Sequence, residues 1–199
     1  MKLYGAPQTR SFRAIWMLEE CDARYERVHV DIRAGAQATP DYHAVNPMEK
    51  VPALVDGEAR VAESGAICAY LADRFPEAGL APKILDPARG RYLQWLFFSG
   101  NCVEPSFIEK VLKFEVSPAQ AGWGGYQKVL DVLEEAVQPG PWLLGDRFTA
   151  ADVMIGADLF FGIRAFRLFE TRPAFDAYLD RCMERPAFVR AQALGEDWS

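Results

Sequence analysis

Three short clusters in the first third of the 199-residue chain carry groups able to bind or activate a small polar ligand: Gln8-Thr9-Arg10-Ser11, Lys50-Val51-Pro52-Ala53 and Glu63-Ser64-Gly65. The first opens a helix-like stretch, where first-turn amides and the positive end of the helix dipole favour an anion, a thiolate included. Thr9 or Ser11 acting simply as the helix N-cap accounts for the same pattern equally well. In the second, an X-Pro bond precedes a short apolar run and is free to be cis, offering the Val51 N–H and C=O to a peptide at a sheet edge. A strand-initiating proline is the plainer alternative. In the third, the Ser64 hydroxyl and the Ser64 and Gly65 amides suit a carboxylate while Glu63 suits an ammonium, together an α-amino acid head group. Here too an ordinary N-cap is the alternative.

Other chemistries find little support. Cys21, Cys68, Cys102 and Cys182 form no Cys-x-x-Cys pair, which argues against a redox dithiol or a zinc knuckle and for small buried hydrophobes. His29 and His43 make no metal-binding pattern, so no metal is expected. With 22 basic and 28 acidic residues the net charge is -6, which repels a phosphate backbone and excludes nucleic acid as a natural partner. The most apolar segment, Val153 to Ile163, is interrupted by Gly156 and Asp158, so no membrane span is expected. The N-terminal residues lack a secretory signal pattern, and a cytoplasmic protein is expected.

The elements that must hold the three clusters follow from periodicity. Lys2 to Tyr4 reads as a strand, turning at Gly5 to Pro7 into a helix from Ser11 to about Cys21. Val28, Val30 and Ile32 alternate as a second strand, and the polar segment from Arg33 to Pro47 has room for a short helix only. Ala53 to Val55 and Arg60 to Ala62 flank Asp56-Gly57, a hairpin signal. Ile67, Tyr70, Leu71 and Phe75 form one helical face, stopped by Pro76. Pro76 to Pro87 has no sustained period and serves as the linker. Beyond it the chain reads helical: one long helix through Tyr92, Trp95, Leu96 and Val103, a second through Tyr126 to Val137, and a third through Phe175 to Met183. Thr149-x-x-Asp152 before the apolar run is a capping-box pattern. The class is α+β, with a mixed domain over residues 1–78 and an all-helical domain over 87–199.

The order of these clusters resembles the cytosolic glutathione transferase family, of bacterial type, along essentially the whole chain. The resemblance rests on Lys2-Leu3-Tyr4 with Ser11-Phe12-Arg13 and Leu18-Glu19-Glu20, then Asn46-Pro47-Met48-Glu49-Lys50-Val51-Pro52-Ala53-Leu54, then Glu63-Ser64-Gly65-Ala66-Ile67. Phe148-Thr149-Ala150-Ala151-Asp152 resembles the family's helix-capping motif. What this implies is a thioredoxin-like N-terminal domain binding glutathione, a helical C-terminal domain supplying a pocket for a small hydrophobic electrophile, and a homodimer. By the same resemblance Val51, beside a cis-Pro52, pairs with the cysteinyl unit of glutathione. Glu63 and Ser64 hold its γ-glutamyl end, Lys50 reaches the glycyl carboxylate, and Gln8 adds a polar contact.

A free thiol has a pKa of about 8.5, and each unit of depression takes roughly 1.4 kcal/mol of differential stabilisation. Arg10 stands where one bacterial class of the family carries a cysteine, which disfavours mixed-disulfide chemistry. Tyr4 lies within the strand. Thr9, slightly ahead of Ser11, is then the expected hydroxyl donor to the sulfur, with Arg10 as the alternative donor. The electrophile pocket is expected between this tetrad and the helix carrying Trp95, Phe98, Asn101, Cys102 and Glu104. Conjugation of the thiolate to an electrophile is the leading expectation. A glutathione-dependent disulfide reductase or peroxidase, or a non-catalytic binding protein of the same fold, are the alternatives.

Overall fold

A computed structural model describes residues 1–114, 116–117 and 119–198. Four short strands form one sheet in the order β2-β1-β3-β4. They are β1 (Lys2–Gly5), β2 (Glu26–His29), β3 (Ala53–Asp56) and β4 (Ala59–Ala62). β1 and β2 are parallel, so the chain must cross over between them, and helix α1 (Ser11–Glu20) makes that crossing. β3 runs antiparallel to both β1 and β4. The fold thus contains the thioredoxin-like sheet expected of its first domain. Leu3 and Leu54 from the sheet, Ile15, Trp16 and Leu18 from α1, and Ile67 and Leu71 from α3 (Ser64–Arg74) are fully buried.

The second strand is shorter than its alternation predicts. The Asp31 carboxylate accepts the amides of Arg33 and Ala34, both at 3.0 Å, an Asx turn that competes with strand pairing. Ile32 consequently falls outside β2 and is 39% exposed. The following segment holds a 3-10 turn, Ala36–Ala38, and helix α2 (Pro40–His43), capped by the Thr39 hydroxyl accepting from Tyr42 N. The hairpin closes one residue later than Asp56-Gly57 suggests: Asp56 pairs with Ala59, leaving Gly57 and Glu58 as the loop. Gly57 has φ +60°, which glycine alone adopts without cost.

The chain forms two compact units, Met1–Gly79 together with the chain from Arg185 onward, and Leu80–Glu184. The helical domain expected over 87–199 takes in the end of the chain, whereas α9 (Pro186–Glu196) packs on α1 in the first unit. Specific contacts explain this. Phe188 lies edge-on to Phe12 and Trp16 at 5.3 and 4.9 Å. Arg185 makes a two-pronged ion pair with Glu20 at 2.6 and 2.7 Å, and Arg190 reaches Glu19 at 2.7 Å.

The second unit is helical: α4 (Ala88–Phe98), α5 (Glu104–Leu112), α6 (Tyr126–Val137), α7 (Ala150–Leu159) and α8 (Pro173–Met183). The single long helix expected through Val103 is instead α4, a π-helical turn at Ser99–Val103, and α5 continuing from it. Apolar spacing does not register the extra residue such a turn inserts. A crevice of about 310 Å3 in this unit is lined by Ala88, Arg91, Pro139, Trp142 and neighbouring residues, none of them a predicted site residue. Among the described residues no helix is long and apolar enough to cross a membrane.

All four cysteines are free thiols. Cys21, Cys68 and Cys182 are buried as expected, while Cys102 is only partly so. Burial pushes the Cys21 and Cys68 thiols up to about 12, leaving almost no thiolate near neutrality. A thiol-reactive chromogenic reagent at about pH 8 is expected to titrate Cys102 alone in the folded chain and all four cysteines after denaturation. A second fast-reacting thiol in the native protein contradicts this packing.

Candidate glutathione site in the first unit

Strand register places the three polar clusters at one end of the sheet. Tyr4 pairs with Ala53, and Ala53 pairs with Ala62, so one row crosses β1, β3 and β4. The chain leaves β1 just beyond this row toward Thr9, enters β3 just before it through Val51-Pro52, and leaves β4 just after it into Glu63-Ser64. Neighbouring strands are about 4.8 Å apart, so the ends of β1 and β4 are separated by about 10 Å across β3. An extended tripeptide covers about that span.

The turn after β1 is built around two hydroxyls. Thr9 Oγ1 lies 2.7 Å from Ala6 O and 2.8 Å from Ser11 Oγ, and it accepts from Ser11 N at 3.2 Å. Ser11 Oγ accepts from Ala6 N at 3.3 Å. Thr9 has one proton and two acceptors within reach. When that proton goes to the carbonyl, the Ser11 hydroxyl donates to Thr9 Oγ1. Ser11 is completely buried and Thr9 half-buried, so of the two residues Thr9 is the one open to solvent.

The expectation of free amides at the start of α1 is corrected here. Ser11 N goes to Thr9 Oγ1, Phe12 N to Thr9 O at 3.2 Å and Arg13 N to Arg10 O at 3.1 Å. An anion at this turn therefore relies on a hydroxyl proton and the dipole of α1 rather than on unpaired N–H groups. Arg10 occupies the N-cap position without a side-chain cap bond, and its side chain is exposed. Gln8 is exposed as well, at φ +57°.

The Val51-Pro52 bond is cis. Pro52 is buried, Val51 is half-buried, and Val51 lies outside the ladder, which begins at Ala53. Two side chains that residue patterns did not single out by role brace this loop. Tyr42 OH and Asn46 Nδ2 both donate to the carbonyl of Lys50, at 2.6 and 2.7 Å. Tyr42 also packs its ring on Tyr4 at 5.9 Å. Burial pushes the Tyr42 phenol up to about 12, so it remains a donor at physiological pH. A tyrosine in a Pro- and Ala-rich segment gave no signal of this; Asn46, four residues before the carbonyl it binds, is legible only once the loop is known to fold back. Lys50 itself is exposed.

At α3 the plain N-cap alternative is replaced by another arrangement. The N-cap is Glu63, at φ +66° and ψ 122°, and Ser64 is the first helical residue. Positive φ at a non-glycine residue is strained and concentrates at functional positions. Ile67 N makes the first helical bond, to Glu63 O at 2.9 Å, so the Ser64, Gly65 and Ala66 amides precede it and face the anion-favouring end of the helix. Ser64 is 8% exposed beside them, and the Glu63 side chain is open to solvent.

On the helix expected to border the electrophile pocket, Trp95 is a core side chain, as an aromatic stripe most often is, and lies edge-on to Phe98 at 5.1 Å. Trp123 donates to Glu109 at 2.6 Å. Asn101 is exposed and Cys102 and Glu104 are half-buried.

A mixed four-stranded sheet with an anion-favouring helix start beside a cis-proline edge, followed by a helical unit, defines the class of proteins in which a thioredoxin-like domain is joined to a helical one. Comparison with known proteins agrees. Residues 1–73 match the family described as glutathione S-transferase, N-terminal domain, and residues 118–181 match glutathione S-transferase, C-terminal domain. The chain is 30% identical to glutathione S-transferase 3 of Zea mays, over 97% of this chain and 93% of that one. It is 28% identical to the disulfide-bond oxidoreductase YfcG of Escherichia coli, over 99% and 98%. A sphingomonad glutathione S-transferase solved in complex with glutathione superposes with a TM-score of 0.80 at 29% identity, covering 98% of each chain. The chain belongs to the glutathione S-transferase family.

Proposed function

We propose that the protein binds glutathione in its first unit and transfers the thiolate to a small hydrophobic electrophile. The observation that carries this reading is the single row Tyr4, Ala53, Ala62, beyond which Thr9, Val51 and Ser64 all emerge. On this reading the γ-glutamyl carboxylate takes the Ser64 hydroxyl and the first amides of α3, and Glu63 takes the ammonium. Val51 pairs with the cysteinyl backbone, Lys50 draws the glycyl carboxylate, and Gln8 lines the exposed side. The sulfur then lies by Thr9, whose hydroxyl proton turns from Ala6 O to the thiolate when glutathione binds, with Ser11 acting through Thr9 and Arg10 adding positive charge at the rim. Catalysis consists of holding the thiolate and electrophile together with the sulfur already ionised. A homodimer belongs to the same reading, supported by the exposed apolar side chains of Met48, Phe97 and Leu112.

The alternative that a specific observation favours is glutathione-dependent disulfide reduction, since one relative is named a disulfide-bond oxidoreductase; arginine at position 10 permits it only through the sulfur of glutathione itself. Thiolate absorbance of protein-bound glutathione across pH separates the readings. Conjugation predicts a bound thiol ionised well below its solution pKa of about 8.5 and turnover of an aromatic halide; tighter binding of glutathione disulfide than of the thiol, without such turnover, favours reduction. Ser64→Ala is expected to weaken glutathione binding about tenfold, the loss of one hydrogen bond to a charged group. Unchanged affinity removes Ser64 from the γ-glutamyl site.

A further inference from the structure

Gly5, at the end of β1, has no room for a side chain: a Cβ there would lie 2.2 Å from Trp198 Cη2 and 2.7 Å from Ser11 Oγ. The Trp198 indole, 8% exposed, is therefore seated on the strand end whose next residue, Ala6, supplies partners to both site hydroxyls. Trp198 follows α9 in the polar run Gly195-Glu196-Asp197, where an aromatic side chain has no helical reason to be buried. Several contacts hold it. Its Nε1 donates to Gly195 O at 3.1 Å. Arg27 of β2 donates to Leu194 O at 2.6 Å and to Asp197 O, and its guanidinium lies 5.8 Å from the indole centroid. The His29 ring is 6.5 Å away.

We propose that Trp198, fixed by Arg27, is a positioning residue for thiolate activation, an inference that rests on the glutathione reading above. The space a Cβ of Gly5 would fill is bounded by both the indole and Ser11 Oγ, so the indole closes the same corner as Ser11, which is wholly shielded from solvent. Ser11 Oγ accepts from Ala6 N and lies 2.8 Å from Thr9 Oγ1, which takes the Ser11 proton when the Thr9 proton is directed elsewhere. A Thr9 oxygen that accepts from Ser11 has its own proton free of Ser11, and once that proton turns from Ala6 O to a sulfur anion it is the stronger donor, because hydrogen bonds in a chain polarise one another. Opening this corner lets water compete for Ser11 and frees Thr9 to rotate.

The test compares the full-length chain with Trp198→Ala, Trp198→Phe and Arg27→Met, reading the pKa of bound glutathione by thiolate absorbance, the glutathione Kd and the unfolding midpoint. Trp198→Ala is expected to raise the bound thiol's pKa by about one, a roughly tenfold loss of thiolate near neutrality, while the Kd changes less than about twofold because the γ-glutamyl contacts lie on α3. Arg27→Met, which keeps the indole but releases its tether, shifts the pKa in the same direction, and Trp198→Phe restores most of it. Should Trp198→Ala fail to fold, Arg27→Met decides. A depressed thiol in the unaltered protein that stays depressed in the variants overturns this inference and leaves the glutathione reading standing. Affinity lost with the pKa unchanged also overturns it, since that marks a purely structural role. An undepressed thiol in the unaltered protein overturns both.

Discussion

Asp152→Ala is expected to destabilise the protein by about 4 kcal/mol and to lower its thermal midpoint by about 10 °C. Asp152 sits at the start of α7, fully shielded from solvent, and its carboxylate is the acceptor for four donors. These are Leu143 N at 2.9 Å, Thr149 N at 2.8 Å, the Thr149 hydroxyl at 3.0 Å and the Tyr178 hydroxyl at 2.9 Å. Two of them are backbone amides, which cannot turn elsewhere when the acceptor disappears. An unsatisfied buried donor costs about 1–3 kcal/mol, and Tyr178 is itself entirely buried. Asp152→Asn keeps one acceptor oxygen and directs an NH2 at the remaining donors, so it is expected to fall between the native protein and Asp152→Ala. Circular dichroism melts of the three proteins check the order. A midpoint for Asp152→Ala within about 2 °C of the native value would mean that the loop around Leu143 relaxes and satisfies these donors by itself.

The same residues show what sequence can carry. Thr149 and Asp152 were legible as a pair because a capping box is a local pattern with fixed spacing. The two donors from Leu143 and Tyr178 were not, being 9 and 26 residues from Asp152 along the chain. α1 is legible from period and the β3–β4 hairpin from its Asp56-Gly57 turn, whereas the alternation of Val28, Val30 and Ile32 runs past the end of β2 at His29. The turn at Thr9 shows the limit: hydroxyls at positions 9 and 11 announce hydrogen bonding but not its direction, and only the buried position of Ser11 separates a surface hydroxyl from one acting behind it. Likewise α9 reads as one more helix of a helical domain until Arg185 and Arg190 are seen against Glu20 and Glu19. The motif Leu18-Glu19-Glu20 displays these carboxylates but not their partners, which lie 171 and 165 residues further along the chain. The cis-proline edge and the start of α3 were marked in sequence; that they share one end of a sheet with Thr9 is a fact of register, which alternation in strands this short does not determine.

Thr9→Ala is expected to lower kcat/KM for conjugation by about 10- to 100-fold while glutathione affinity stays within about twofold. A hydrogen bond to a charged acceptor contributes about 1.5–3 kcal/mol, which corresponds to a rise of roughly one to two in the pKa of the bound thiol. The cost falls on the ionised state alone, because the neutral thiol gains little from a hydroxyl donor; the peptide backbone and γ-glutamyl contacts are unaffected. Thr9→Ser retains the hydroxyl and is expected to recover most of the activity. Ser11→Ala separates the two hydroxyls by a different signature. It removes the acceptor for the Ala6 amide, bonded at 3.3 Å in a buried turn, so it is expected to cost about 1–2 kcal/mol in stability. Its effect on the thiol pKa is smaller than that of Thr9→Ala, because Ser11 reaches the sulfur only through Thr9. Stopped-flow or steady-state conjugation rates across pH, with melts on the same proteins, measure both quantities. The opposite pattern, a thiol pKa insensitive to Thr9→Ala and raised by Ser11→Ala in a protein of native stability, would assign the sulfur to Ser11 and require the turn to open when glutathione binds.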